Sequence, residues 1–287
     1  VNKPETFSFT TKENINLNMD LYKAEKNRKN ITVLYFHGGG LLYGTRDDLP
    51  EVYIHMYLEA GYDLLALDYP FAPEANLKLI LDSSFAALAY YLENKTIRLG
   101  LTNQHYILFG RSAGAYLCFM LYTLLLQNKA VLPLAIISLY GYTRLDEIEF
   151  STPSKHYNKL GTISDAAIEK IIADSPITYG PMHLRFSLYI KARQDGTWIN
   201  LLCGKESSAA YSLDEEQLKL LPPTLLAAAT LDPDVPFRIS KALSKRIPNA
   251  HLITVYKDVH DFDRNLEDPE GKSTYAKIIQ WLENFQA

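Results

Sequence analysis

Cysteine is scarce in this chain. Cys118 and Cys203 are the only two in 287 residues, and neither lies in a CxxC or a Cys/His spacing. That removes the sequence signs of a zinc site or a dithiol motif, so no metal is expected, and a reducing compartment is the simplest inference. Long hydrophobic runs are missing too. No stretch approaches 18 uninterrupted apolar residues, so no membrane span is expected. Val1 to Asn18 is polar and carries no apolar signal core, which makes a cytoplasmic location the expectation. There is no excess of basic charge either. Lys and Arg number 29 against 33 Asp and Glu, for a formal net charge of −4. Such a surface gives no electrostatic footprint for nucleic acid or an anionic membrane. Internal repeats and low-complexity segments are absent.

What the chain does have is alternation. Hydrophobic residues make up 47%, enough for one large core. Thr6–Thr10 and Asn16–Tyr22 read as an opening strand pair. Ile31–Phe36 (ITVLYF) is almost wholly apolar, as a strand buried on both faces must be. A helix is expected over Val52–Ala60, a strand over Asp63–Tyr69 and a helix over Leu77–Leu92. Strand Gln104–Phe109, helix Ala113–Gln127 and strand Leu134–Tyr140 follow. Late in the chain come strand Thr224–Thr230, helix Val235–Ile247, strand Leu252–Tyr256 and helix Thr274–Phe285. Roughly eight strands, most separated by helices, predict a mostly parallel sheet covered on both faces. Residues 142–211 break this rhythm. Too long for a connection, they read as an inserted cap or lid, with a helix over Ser164–Ala173 capped by Ser164. The core is then 1–141 plus 212–287. Ser212 and Glu215 have the spacing of a capping box for the returning helix.

The chemistry-bearing motif is Gly110-Arg111-Ser112-Ala113-Gly114, a GxSxG between the strand YILF and an apolar helix. A nucleophilic serine needs a sharp strand-to-helix turn, and small residues on either side permit it. His37-Gly38-Gly39-Gly40 follows the strand ITVLYF. Three ordered glycines are costly, and make sense where backbone N–H groups must approach a developing oxyanion. Ala113 would supply the partner N–H, and His37 is expected to brace the loop. Asp232 follows the strand TLLAAAT and His260 follows LITVY. The order Ser, Asp, His, each beyond the C-terminal edge of a strand, is the order of an α/β-hydrolase. Asp234 is a rival to Asp232, while Asp261 and Asp263 sit too close to His260 in sequence to be preferred as the acid.

Together these segments resemble the hormone-sensitive-lipase-like branch of α/β-hydrolase esterases. HGGG at 37–40, GxSAG at 110–114 and Asp68-Tyr69-Pro70-Phe71-Ala72-Pro73-Glu74 carry the resemblance. So do Leu221-Pro222-Pro223-Thr224 and His260 followed by Phe262. It implies an α/β-hydrolase fold and oxyanion donors at Gly39, Gly40 and Ala113. It also supports Asp232 as the acid, since Pro233 follows it. The implied activity is hydrolysis of esters with small to medium acyl groups, without metal or cofactor. Three positions depart from the pattern: Arg111 replaces an aspartate, Ala115 a glycine and Pro70 an arginine. Arg111 is expected to pair with a nearby carboxylate, with attraction of an anionic substrate as the other reading. The branch's helical N-terminal cap is missing, so acyl preference transfers poorly.

The partner expected is therefore a small-molecule ester, and a homodimer is compatible with the sequence. Two alternatives stand beside the esterase. One is a peptidase of the same architecture, with Glu74 or Glu206 as anchor for a peptide amine. The other is a non-catalytic ligand-binding protein on the hydrolase scaffold.

Overall fold

A computed structural model describes residues 3–103 and 105–285. Its core elements are β1 (Glu5–Thr10), β2 (Asn16–Tyr22), β3 (Ile31–Phe36), α1 (Glu51–Glu59), β4 (Asp63–Leu67), α2 (Leu77–Asn94), β5 (His105–Arg111), α3 (Ala113–Gln127) and β6 (Ile136–Leu139). The segment at 142–211 contributes α4 (Asp165–Glu169), α5 (Met182–Asp195) and α6 (Trp198–Cys203). The chain then returns through α7 (Glu215–Lys219), β7 (Thr224–Ala229), α8 (Phe237–Arg246), β8 (Ala250–Val255) and α9 (Pro269–Leu282). Gln104, where the sequence reading begins the fifth strand, lies outside the described residues.

The eight strands form one sheet in the order β1-β2-β4-β3-β5-β6-β7-β8. β2 pairs antiparallel with both β1 and β4, and the other neighbours are parallel. This is the α/β-hydrolase fold. Parallel strands need crossovers, and the crossover helices cover both faces. Along β3, Ile31, Val33 and Tyr35 join one core, shared with Tyr53 and Tyr57 of α1 and Tyr275 and Ile278 of α9. Leu34 and Phe36 join the other, shared with α2, α3 and α8. The run ITVLYF is apolar throughout because both of its faces are buried. Among the described residues, no helix is long and apolar enough to cross a membrane.

Three local expectations need correction. α4 ends at Glu169 rather than Ala173, although Ser164 does cap it by accepting from the Ala167 N–H. No residue of α4 is fully buried, and only the half-buried Ile168 packs against the core, so this short helix gains little from packing. The Ala173 N–H donates to Glu74 Oε1 at 2.8 Å instead of continuing the helix. The capping box lies two residues later than expected, on Asp214 and Gln217. Ser212 is unavailable because its hydroxyl accepts from the Leu145 N–H and donates to the Ser208 carbonyl. Finally, α9 starts at Pro269 with Asp268 as cap, five residues before Thr274. Proline suits the first helical position, where its missing N–H has no partner to lose.

Residues 142–211 pack onto the core of the α2–α3 face. Tyr142, Phe150, Tyr157, Tyr189, Trp198 and Leu202 belong to the same apolar cluster as Leu34 and Leu117. A pair of backbone bonds between Gly44 and Gly180 joins this segment to the loop after β3.

Candidate active site

Ser112 stands between β5 and α3 with φ 51° and ψ −117°. An L-residue there is strained, and the surroundings must hold it. Its N–H donates to the Leu139 carbonyl at 2.9 Å. The flanking glycines have a steric cause. A Cβ on Gly110 would sit 2.2 Å from the Ala115 nitrogen, and one on Gly114 would sit 2.0 Å from the Phe36 carbonyl oxygen. The turn aims the serine away from the sheet and places the α3 N-terminus beside it, where the helix dipole favours negative charge.

Two loops bring the other polar groups. His260 follows β8, and its Nε2 lies 2.9 Å from Ser112 Oγ. Its Nδ1 lies 2.7 Å from Asp232 Oδ2, in the loop after β7. A carboxylate only accepts, so Nδ1 carries the proton, and Nε2 of the neutral ring can accept from the serine hydroxyl. The second oxygen, Asp232 Oδ1, accepts from the N–H groups of Asp234 and Val235 at 2.8 and 2.9 Å. Burial by itself favours the neutral imidazole. The Asp232 carboxylate, aided by Asp234 and Asp261, outweighs it and raises the His260 pKa to about 9.

Asp234 does not touch His260. It accepts from the Tyr189 and Tyr157 hydroxyls at 2.9 and 3.1 Å and pairs with Arg193 at 3.1 Å, all buried. Of the two rival acids, geometry thus brings Asp232 to the histidine and ties Asp234 to residues 142–211.

The glycine loop approaches Ser112 from β3. Gly39 and Gly40 have φ values of 106° and 60°. A Cβ on Gly39 would fall 1.9 Å from the Tyr43 carbonyl oxygen, and one on Gly40 2.4 Å from the Tyr189 ring. The N–H groups of Gly39, Gly40 and Ala113 meet no protein acceptor among the described residues. Unpaired amides beside a serine are what an oxyanion site requires. His37 is fully buried, stacks on Tyr69 with ring centroids 4.3 Å apart, and donates from Nδ1 to the Gly38 carbonyl at 2.7 Å. Burial lowers its pKa. It is a neutral brace.

Arg111 borders the cleft, but its side chain is buried and its guanidinium is engaged by carboxylates and a tyrosine. Its guanidinium pairs with Asp263 at 3.0 Å and donates to the Tyr140 hydroxyl at 2.7 Å. Tyr140 and Tyr275 donate to the two oxygens of Asp263 at 2.7 and 3.0 Å. The Tyr140 ring also lies 4.7 Å from that of His260. This knot ties the serine turn to the histidine loop. Sequence reasoning missed Asp263 and Tyr140 because nothing in chain order links them to position 111. Arg111→Met would strand a buried carboxylate, so unfolding free energy in urea should fall by about 3–5 kcal/mol. A loss under about 1 kcal/mol would show that the ion pair contributes little.

A cleft of about 280 Å³ opens over Ser112 and His260. The glycine loop forms one side, and Tyr157, Leu160, Met182, Phe186 and Tyr189 form another. Among the described residues, no group of three or more His, Cys, Asp or Glu side chains could hold a metal ion. The arrangement can activate a hydroxyl, stabilise an oxyanion and enclose a small apolar group.

Comparison with known proteins agrees with this architecture. A family model described as the alpha/beta hydrolase fold matches residues 33–263. Bovine (Bos taurus) hormone-sensitive lipase is 29% identical over 140 residues, which is 48% of this chain and 18% of that protein. The chain thus matches well under two thirds of this relative's length. An alpha/beta hydrolase superfamily protein of Enterococcus faecalis is 30% identical with a TM-score of 0.82, covering 98% of this chain and 99% of its own. A Staphylococcus aureus protein of unknown function is 28% identical with a TM-score of 0.86, covering 98% of both chains.

Proposed function

Because the chain belongs to the alpha/beta hydrolase fold family, we propose that it is a serine hydrolase cleaving carboxylic esters through an acyl-enzyme. The observation that carries this reading is the unbroken chain Ser112 Oγ–His260 Nε2 and His260 Nδ1–Asp232 Oδ2, at 2.9 and 2.7 Å, beside unpaired amides. Ser112 Oγ attacks the ester carbonyl carbon as its proton passes to His260 Nε2. The carbonyl oxygen becomes an oxyanion held by the N–H groups of Gly39, Gly40 and Ala113. The carbon–oxygen bond to the alcohol then breaks, and His260 returns the proton to the leaving oxygen. Water repeats the sequence on the acyl-enzyme, releasing the acid and restoring Ser112. Asp232 holds the imidazole tautomer and stabilises the imidazolium throughout.

Two features support small to medium acyl groups. The cleft of about 280 Å³ lies at or below the lower end of the range for drug-sized ligands. Residues 142–211 act as a cap whose aromatic rings close one side of it. The peptidase alternative loses one anchor candidate, since the Glu74 side chain is fully buried and held by Arg185 at 2.8 Å.

A p-nitrophenyl ester series tests this reading. The expected kcat/KM is highest for acyl chains of about two to six carbons and at least about tenfold lower for the dodecanoate. A rate that rises toward the long chains would overturn the size assignment. No hydrolysis of any ester by folded protein would overturn the esterase reading.

A further inference from the structure

The carbonyl oxygens from His37 to Leu41 are nearly all held by the loop itself or by the segment at 69–72. The His37 carbonyl accepts from the Tyr69 hydroxyl at 2.8 Å, and the Gly38 carbonyl from the His37 ring at 2.7 Å. The Gly39 carbonyl accepts from the amides of Leu42 and Tyr43 at 3.0 and 3.1 Å, and the Leu41 carbonyl from that of Ala72 at 2.8 Å. Among the carbonyls from 37 to 41 one is held from residues 142–211, and farther along the same loop Arg185 Nε of α5 holds the Leu42 carbonyl at 2.8 Å. The Gly40 oxygen accepts from Trp198 Nε1 at 2.9 Å, across 158 positions of chain, from α6 of the inserted segment.

From this we infer that Trp198 is a positioning residue for the oxyanion site, through which the inserted segment sets the orientation of the glycine loop. This deepens the esterase reading and rests on it. Trp198 is 1% exposed and does not line the cleft, so it acts through Gly40 and not on substrate. Its indole is immobilised. Edge-on rings of Phe150, Tyr189 and Tyr142 lie 5.0, 5.5 and 5.9 Å away, and the Arg193 guanidinium sits 5.1 Å from its centre. A fixed donor fixes the peptide plane it bonds, because that plane is rigid. The need is greatest at this point of the loop. Gly39 and Gly40 have no Cβ to limit rotation, and Gly40 holds φ 60°. Without the indole N–H, the buried Gly40 carbonyl has no partner, and the plane can turn to find one. The neighbouring plane, which carries the Gly40 N–H, would then lose its aim.

The test removes the N–H and keeps an aromatic ring at the position. Trp198→Phe is the simpler variant. Replacement of Trp198 by benzothienylalanine, which puts sulfur in place of the N–H, preserves packing if the phenylalanine variant folds poorly. Rates on p-nitrophenyl butyrate are expressed per active site, counted by titration with a fluorophosphonate. The expected kcat is about 10- to 100-fold lower, with KM within about twofold, because misaimed oxyanion donors act on the transition state. Affinity for an alkyl boronic acid, which mimics the tetrahedral adduct, should fall in parallel with kcat/KM. A merely structural tryptophan would lower the melting temperature and the number of titrated sites but leave kcat per site unchanged, and that result would overturn the inference. So would a change confined to KM. Wild-type protein that hydrolyses no ester and takes up no fluorophosphonate would instead overturn the esterase reading and the positioning role with it.

Discussion

Ser112→Ala should lower turnover of p-nitrophenyl butyrate by about 10⁶-fold while leaving the fold intact. The substitution removes one atom, Oγ, whose hydrogen-bond partner is His260 Nε2 at 2.9 Å. The unusual backbone at φ 51° is held by neighbours that the change does not touch. Those are the Leu139 carbonyl on the Ser112 N–H and the close approach of Gly114 to the Phe36 carbonyl. Unfolding free energy should therefore change by less than about 1 kcal/mol. Two measurements suffice: the rate beside that of wild type, and the mass of each protein after exposure to a fluorophosphonate. Only wild type should gain the adduct. A variant that keeps more than about a hundredth of the rate would move the nucleophile to another residue.

Asp232→Asn and Asp234→Asn should part company by orders of magnitude. Loss of the Asp232 carboxylate allows the wrong imidazole tautomer and costs about 10⁴-fold in kcat. Asp234→Asn leaves the bond between His260 and Asp232 in place, so kcat should stay within about tenfold of wild type. Its cost falls on stability, about 3–5 kcal/mol, because Arg193 is left buried without its counter-charge. The pH profile provides the second reading. Only neutral imidazole accepts the serine proton, so kcat/KM must rise with pH through the His260 titration. Asp232 raises that pKa, so the acid limb should lie above 6.5 and approach about 9. In Asp232→Asn the residual activity should show a limb moved to lower pH. Equal effects of the two substitutions on kcat, or a limb that does not move, would refute the assignment of Asp232.

Much of the fold was legible because buried strands announce themselves. ITVLYF and TLLAAAT are apolar on both faces, and α3 is recovered at its expected ends, Ala113–Gln127. Short-range rules failed where a distant partner captured a local group. Glu74 takes the N–H that would have prolonged α4, and Leu145 with Ser208 occupies the hydroxyl of the expected Ser212 cap.

By itself, the sequence determined the sheet and its order of chemistry. The spacing of GxSxG and the strands before Asp232 and His260 put three polar side chains at one edge, because parallel strands end there together. Tertiary structure alone decided the choices between equals. Asp232 and Asp234 have the same chemistry two residues apart, and only packing shows that one carboxylate meets His260 while the other meets Arg193. Position 111 could have faced substrate, but it is buried against Asp263. Trp198 has no motif, and its bond to Gly40 spans a separation that no local pattern encodes. The physical reason is the range of the forces. Periodicity and turn chemistry act over a few residues, whereas pairing of buried charges and N–H groups is fixed only when distant segments close on one another.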